Sequence, residues 1–131
     1  MARVVANSPR VLIADDEPQL LRVLASVLER QGYTVIPALD GKAALEALRE
    51  APEPIDAIVI DAAISPEGAG PVLEVLAAEW PQVGVIVTSG DQLPSSLRSR
   101  LLASNGIFLL KPFLPSALVE VVEASLIKRG G

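Results

Sequence analysis

The sequence contains no histidine and no cysteine. Imidazole bases, imidazole or thiolate metal ligands, a histidine phosphate carrier, a cysteine nucleophile and disulfides are therefore excluded. Any chemistry must come from carboxylates, hydroxyls and lysine, and these types gather where apolar runs end. Asp15 and Asp16 follow Arg10-Val11-Leu12-Ile13-Ala14, and Asp61 follows Ala57-Ile58-Val59-Ile60. Thr88 and Ser89 close the run from Val83 to Val87, and Lys111 follows Ile107-Phe108-Leu109-Leu110. Brought to one rim, the three carboxylates repel, and the cluster is stable only if protonated or neutralised by a cation. Oxygen donors without imidazole or thiolate point to Mg²⁺, held with several waters. A lysine opposite them can balance one carboxylate or hold a phosphoryl oxygen.

The elements that must position these groups are legible in the hydropathy pattern. The four runs above read as buried strands, and Tyr33 to Ala38 as a shorter one. Between them lie segments of helical period. Pro18 opens the first helix, with Leu20, Leu21, Val23, Leu24, Val27 and Leu28 following at helical spacing, and Gly32 ends it. Asp40-Gly41 caps a second helix that breaks at Pro52-Glu53-Pro54. Gly70-Pro71 opens a third, which runs to Trp80. Pro94 to Ser104 forms a fourth, closed by Asn105-Gly106. Pro115 to Lys128 forms the last, with Lys128 and Arg129 suiting its C-terminal dipole. Five βα units in series predict a parallel sheet with helices on both faces, and its ligands beyond the carboxyl ends of the strands. The aliphatic runs of the first, third, fourth and fifth strands predict burial on both faces.

With 131 residues, the chain has the length of one domain. Residues 10–128 are assigned to it, with 1–9 and 129–131 as tails. Hydrophobic residues make up 50% and aromatics only 3%, so the core is built from Val, Leu, Ile and Ala and disorder is excluded as the main state. The net charge of -5 argues against direct nucleic-acid binding. No apolar run approaches the ~20 residues that span a bilayer, and the first residues are too polar for a signal peptide. A cytoplasmic protein without membrane contact is the expectation.

The ordered set of Asp15-Asp16, Asp61, Ser89 and Lys111-Pro112-Phe113, each after its own strand, resembles a response-regulator receiver domain of two-component signalling, similar to the chemotaxis regulator. The resemblance covers about residues 10 to 128. It implies a single-domain α/β fold, a doubly wound five-stranded parallel sheet in the flavodoxin-like order 2-1-3-4-5. It implies that Asp61 accepts a phosphoryl group from a histidine kinase or phosphotransfer protein. Asp16 is then the main side-chain ligand of Mg²⁺, Asp15 acts beside it, and the Ala63 carbonyl is a further ligand. Lys111 pairs with Asp61 and then with a phosphoryl oxygen, across a cis Lys111-Pro112 bond. Ser89 is the switch hydroxyl, with Thr88 as the alternative, and Phe108 is both a core residue and the aromatic that turns inward. The implied role is signalling, with only self-catalysed phosphorylation and dephosphorylation. An output protein or domain, or a second copy of the chain, would dock near the fourth helix, fifth strand and fifth helix. The chain is either a stand-alone receiver or part of a longer regulator or hybrid kinase.

One departure bears on function. The family pattern places Met-Pro third and fourth after the acceptor, whereas here Ile64 is followed by Ser65 and then Pro66, one residue late. That longer loop motivates a second reading, a phosphate-independent interaction module of the same fold. Enzyme readings fit less well. A flavin binder would not present Asp15-Asp16-Glu17 to a phosphate, a haloacid-dehalogenase-type phosphatase needs an Asp where Ala63 stands, and no P-loop is present.

Overall fold

The computed structural model describes residues 8–130. Strands and helices alternate through them: β1 (Arg10–Ala14), α1 (Pro18–Arg30), β2 (Thr34–Ala38), α2 (Gly41–Glu50), β3 (Ala57–Asp61), α3 (Gly70–Glu79), β4 (Gly84–Ser89), α4 (Ser95–Ala103), β5 (Ile107–Leu110) and α5 (Pro115–Gly130). All pairings are parallel, in the order β2-β1-β3-β4-β5. This is the doubly wound flavodoxin-like fold expected from the sequence. Pro18 does open α1, and Asp40 caps α2 by accepting the Ala43 N–H at 2.7 Å.

Strand alternation divides the core into two layers. Leu12, Ala14, Ile58, Ile60, Val85 and Val87 face α2, α3 and α4. Val11, Ile13, Val59 and Ile86 face α1 and α5, where Leu24, Leu28, Leu118 and Val122 cover them. Burying each such side chain contributes roughly 1.5–3 kcal/mol, so β1, β3 and β4 form a rigid platform for the loops at their carboxyl ends. Gly84 lets α5 lie close: a Cβ there would meet the Cβ and Oγ of Ser125 at 3.0 Å.

Two expectations fail at the margins. The run Ile107–Leu110 is not buried on both faces, because β5 is an edge strand; Phe108 and Leu110 are 39% and 55% exposed. The last helix, expected to end at Lys128, continues to Gly130, since nothing in Lys128-Arg129 breaks a helix. Of the assigned tails, residues 1–7 and 131 lie outside the described residues.

Candidate functional site

Register brings the candidate residues to one rim. Ala14 pairs with Ile60, Asp61 with Thr88, and Ser89 with Leu110. Asp15 and Lys111 therefore leave their strands on either side of Asp61. Backbone bonds continue the ladders beyond the strands: the Asp15 N–H donates to the Ala38 carbonyl, Ala62 to Thr88 and Lys111 to Ser89, at 3.0, 2.7 and 2.7 Å. The chain thus stays in sheet geometry up to the residues that carry the chemistry.

Lys111 stands at the centre. Its Nζ donates to Asp15 Oδ2 at 3.1 Å and to Asp61 Oδ1 at 3.3 Å, and lies 4.0 Å from the Glu17 carboxylate. Burial by itself pulls the ammonium's pKa down. The bond to Asp15 and the charges of Asp15 and Asp61 together outweigh it, so the pKa lies above the ordinary lysine value. Lys111 remains a cation across the physiological range. Asp15 is 2% exposed, and its Oδ1 also accepts the Glu17 N–H at 2.9 Å. Asp16 is exposed; its Oδ2 accepts the Ser65 N–H at 3.2 Å. One carboxylate oxygen from each of Asp15, Asp16 and Asp61 lies within 4.8 Å of the others.

The loop after Asp61 is closed by its own hydrogen bonds. The carbonyls of Asp61, Ala62, Ile64 and Ser65 accept the N–H groups of Ile64, Ala69, Gly68 and Gly41. The Ala63 carbonyl accepts none among the described residues, and Ala63 is exposed. Ile64, fully buried, anchors the loop in the core where the family pattern has Met. Gly68 is required at the turn: its φ is +78°, and an added Cβ would meet the Ala62 carbonyl at 3.0 Å. Lys111-Pro112 is cis as expected, and Ser65-Pro66 is cis as well.

Alternation separates the two candidate hydroxyls. Thr88 lies on the α1/α5 side with Ile86 and is 2% exposed. Ser89 is half-buried on the other side, with Val87, whose register partner is Phe108. Ser89 Oγ accepts the Asp91 N–H at 3.1 Å. Phe108 is not a core residue in this conformation; it projects outward from the edge strand. Sequence reasoning missed the Asp16–Ser65 contact and the closer approach of Lys111 to Asp15 than to Asp61. The extra residue in the loop was the only signal for the first, and the position of Asp15 beside a fully buried strand was a signal for the second.

The fold and this rim define a class. The chain matches the response regulator receiver domain over residues 11–123 and belongs to that family. It is a receiver domain of a two-component response regulator. Among its relatives is the transcriptional regulatory protein PrrA of Mycobacterium leprae, 37% identical over 125 residues that cover 95% of this chain and 52% of PrrA. The response regulator GtcR of Aneurinibacillus migulanus is 32% identical over 119 residues, 91% of this chain and 48% of GtcR. The chain thus spans about half the length of these curated relatives. A CheY-like receiver domain protein from Methanospirillum hungatei JF-1 superposes with a TM-score of 0.86 at 22% identity, covering 95% of this chain and 98% of that one. A response regulator receiver protein from Sinorhizobium medicae WSM419 gives 0.83 at 28% identity, with the same coverage. Among the described residues, no helix is long and apolar enough to cross a membrane.

Proposed function

We propose that this receiver domain accepts a phosphoryl group on Asp61 from the phosphohistidine of a histidine kinase or phosphotransfer protein, with Mg²⁺ bound at the rim. The observation that carries the reading is three carboxylates converging around one lysine. An Asp61 oxygen attacks phosphorus, the P–N bond breaks, and the imidazole nitrogen leaves with the electron pair. Lys111, already between Asp15 and Asp61, moves little to meet the new phosphoryl oxygen. Such transfers depend on positioning and charge stabilisation. Ser89 lies on the side of the sheet that carries Phe108, which supports it over Thr88 as the hydroxyl that reads the phosphoryl group and shifts a two-state surface.

The donor set fits Mg²⁺. All the donors are oxygens, and Asp16, Asp61 and the unpartnered Ala63 carbonyl would hold the ion, with Asp15 beside them. The three carboxylate oxygens already lie within 4.8 Å of one another, near enough for one cation to gather them by side-chain adjustment. When bound, the ion neutralises the carboxylates and the incoming phosphoryl charge. The surface formed by α4, β5 and α5 is the proposed site for an output protein or domain, or for homodimerisation. A cytoplasmic setting, without direct nucleic-acid or membrane contact by this domain, accords with the net charge of -5.

Ser65 N–H on Asp16 favours one competing reading, a phosphate-independent module in which the longer loop has closed over the cation ligands. Incubation with acetyl phosphate, read by intact mass, separates them. The main reading predicts one Mg²⁺-dependent phosphoryl adduct that Asp61→Asn lacks. A folded protein that forms no adduct, from acetyl phosphate or from a phosphorylated kinase, would establish the competing one.

A further inference from the structure

The β3–α3 loop is pinned at one residue from two sides. The Ser65 N–H donates to Asp16 Oδ2 at 3.2 Å, and the Ser65 carbonyl accepts the Gly41 N–H at 2.9 Å. Gly41 is the first residue of α2, so the loop is tied to a helix end on one side and to a candidate cation ligand on the other. The buried Ile64 fixes the residue before it. Ser65 is also the residue by which this loop exceeds the family pattern.

Asp16 is exposed, and the Ser65 N–H is its only hydrogen-bond donor among the described residues. An exposed carboxylate samples several rotamers, and ordering it costs entropy when a ligand binds. A charge-assisted bond to one oxygen removes much of that freedom in advance and leaves the other oxygen open. We propose that Ser65 is a positioning residue for cation binding: its N–H holds Asp16, and Gly41 holds Ser65. The lengthened loop thereby preorganises the rim rather than closing it. The inference rests on the reading of Asp16 as a cation ligand.

Two variants break the clip without touching a ligand. Gly41→Pro deletes the N–H that holds Ser65 and sets the ring Cδ in the place of that hydrogen, so it forces the Ser65 carbonyl away from the helix end. Proline is favoured at a first helical position, and Asp40 already has the extended backbone that a residue before proline requires. Replacing the amide at Ser65 by an ester, through chemical ligation, removes the N–H that meets Asp16 and weakens the Ile64 carbonyl as acceptor of the Gly68 N–H. Ser65→Ala keeps that N–H and serves as the control.

Mg²⁺ is titrated by calorimetry and by amide chemical shifts, on the full chain. The ester should raise the Mg²⁺ Kd on the order of tenfold, the low end for outer-shell partners. Gly41→Pro should raise it as well, and Ser65→Ala should leave it unchanged. The Mg²⁺ concentration for half-maximal acetyl phosphate labelling should rise in parallel, with the rate at saturating Mg²⁺ retained. A folded ester variant that binds within about twofold of the native protein overturns the role of Ser65, provided Asp16→Ala has lost affinity. If Asp16→Ala itself binds Mg²⁺ as tightly as the native protein, the ligand assignment and the inference both fall.

Discussion

Replacing Lys111 with methionine keeps an apolar stem and removes the ammonium from between two carboxylates. At 3.1 and 3.3 Å, each contact is worth about 5 kcal/mol of direct attraction at an effective dielectric of about 20. Desolvation of the ions offsets most of that. Removing one partner of a buried pair costs about 3–5 kcal/mol, because the other charge is left uncompensated. Here the side chains of Asp15, Asp61 and Lys111 are 3%, 13% and 19% exposed, so solvent screens the pair with Asp61 more than the one with Asp15. A loss of about 2–3 kcal/mol in metal-free buffer follows. Urea unfolding in EDTA, read by the single Trp80, measures it. With m near 1.5 kcal/mol/M, the midpoint should fall by about 1.3–2 M. Mg²⁺ should narrow the gap by restoring positive charge to the rim. The pH dependence has a definite sign. Lys111's pKa is raised on folding, so its contribution is complete below the unfolded value of about 10.4 and is lost as pH rises through the folded value. The native protein should therefore lose stability above about pH 10.4 through a limb the variant lacks. A variant as stable as the native protein in EDTA would refute the claim that this lysine holds the carboxylates together.

Ser89→Ala should slow acetyl phosphate labelling by about tenfold or more while leaving the adduct on Asp61. Thr88→Val should slow it less; the reverse order of rates would move the switch hydroxyl to Thr88. Gly84→Ala should destabilise by about 1–3 kcal/mol in urea unfolding, since its Cβ would press on Ser125 at 3.0 Å. An unchanged midpoint would mean that α5 shifts away at little cost.

The sheet was legible because four of its strands are short aliphatic runs that end in charged or hydroxyl residues, and because each helix between them begins with a proline, glycine or aspartate signal. Asp15, Asp61 and Lys111 could be placed together from order alone, since parallel strands deliver their C-terminal neighbours to one rim. Phe108 shows the limit of that reasoning. An apolar run of four looks the same in an edge strand as in a central one, and only the neighbours on either side decide exposure. Ser65 shows another: its contacts come from its backbone, and no side-chain pattern announces a backbone N–H aimed at a carboxylate. Thr88 and Ser89 were adjacent in sequence and ambiguous; sheet alternation puts them on opposite faces.

Acceptance of the phosphoryl group by Asp61 is tested most directly by mapping the modified residue. After acetyl phosphate treatment with Mg²⁺, borohydride reduction converts an aspartyl phosphate to homoserine, which peptide mass spectrometry locates. Homoserine is expected at position 61 and nowhere else, dependent on Mg²⁺. Homoserine at Asp15 or Asp16, or an unmodified Asp61 in a folded protein that carries the adduct elsewhere, would contradict it.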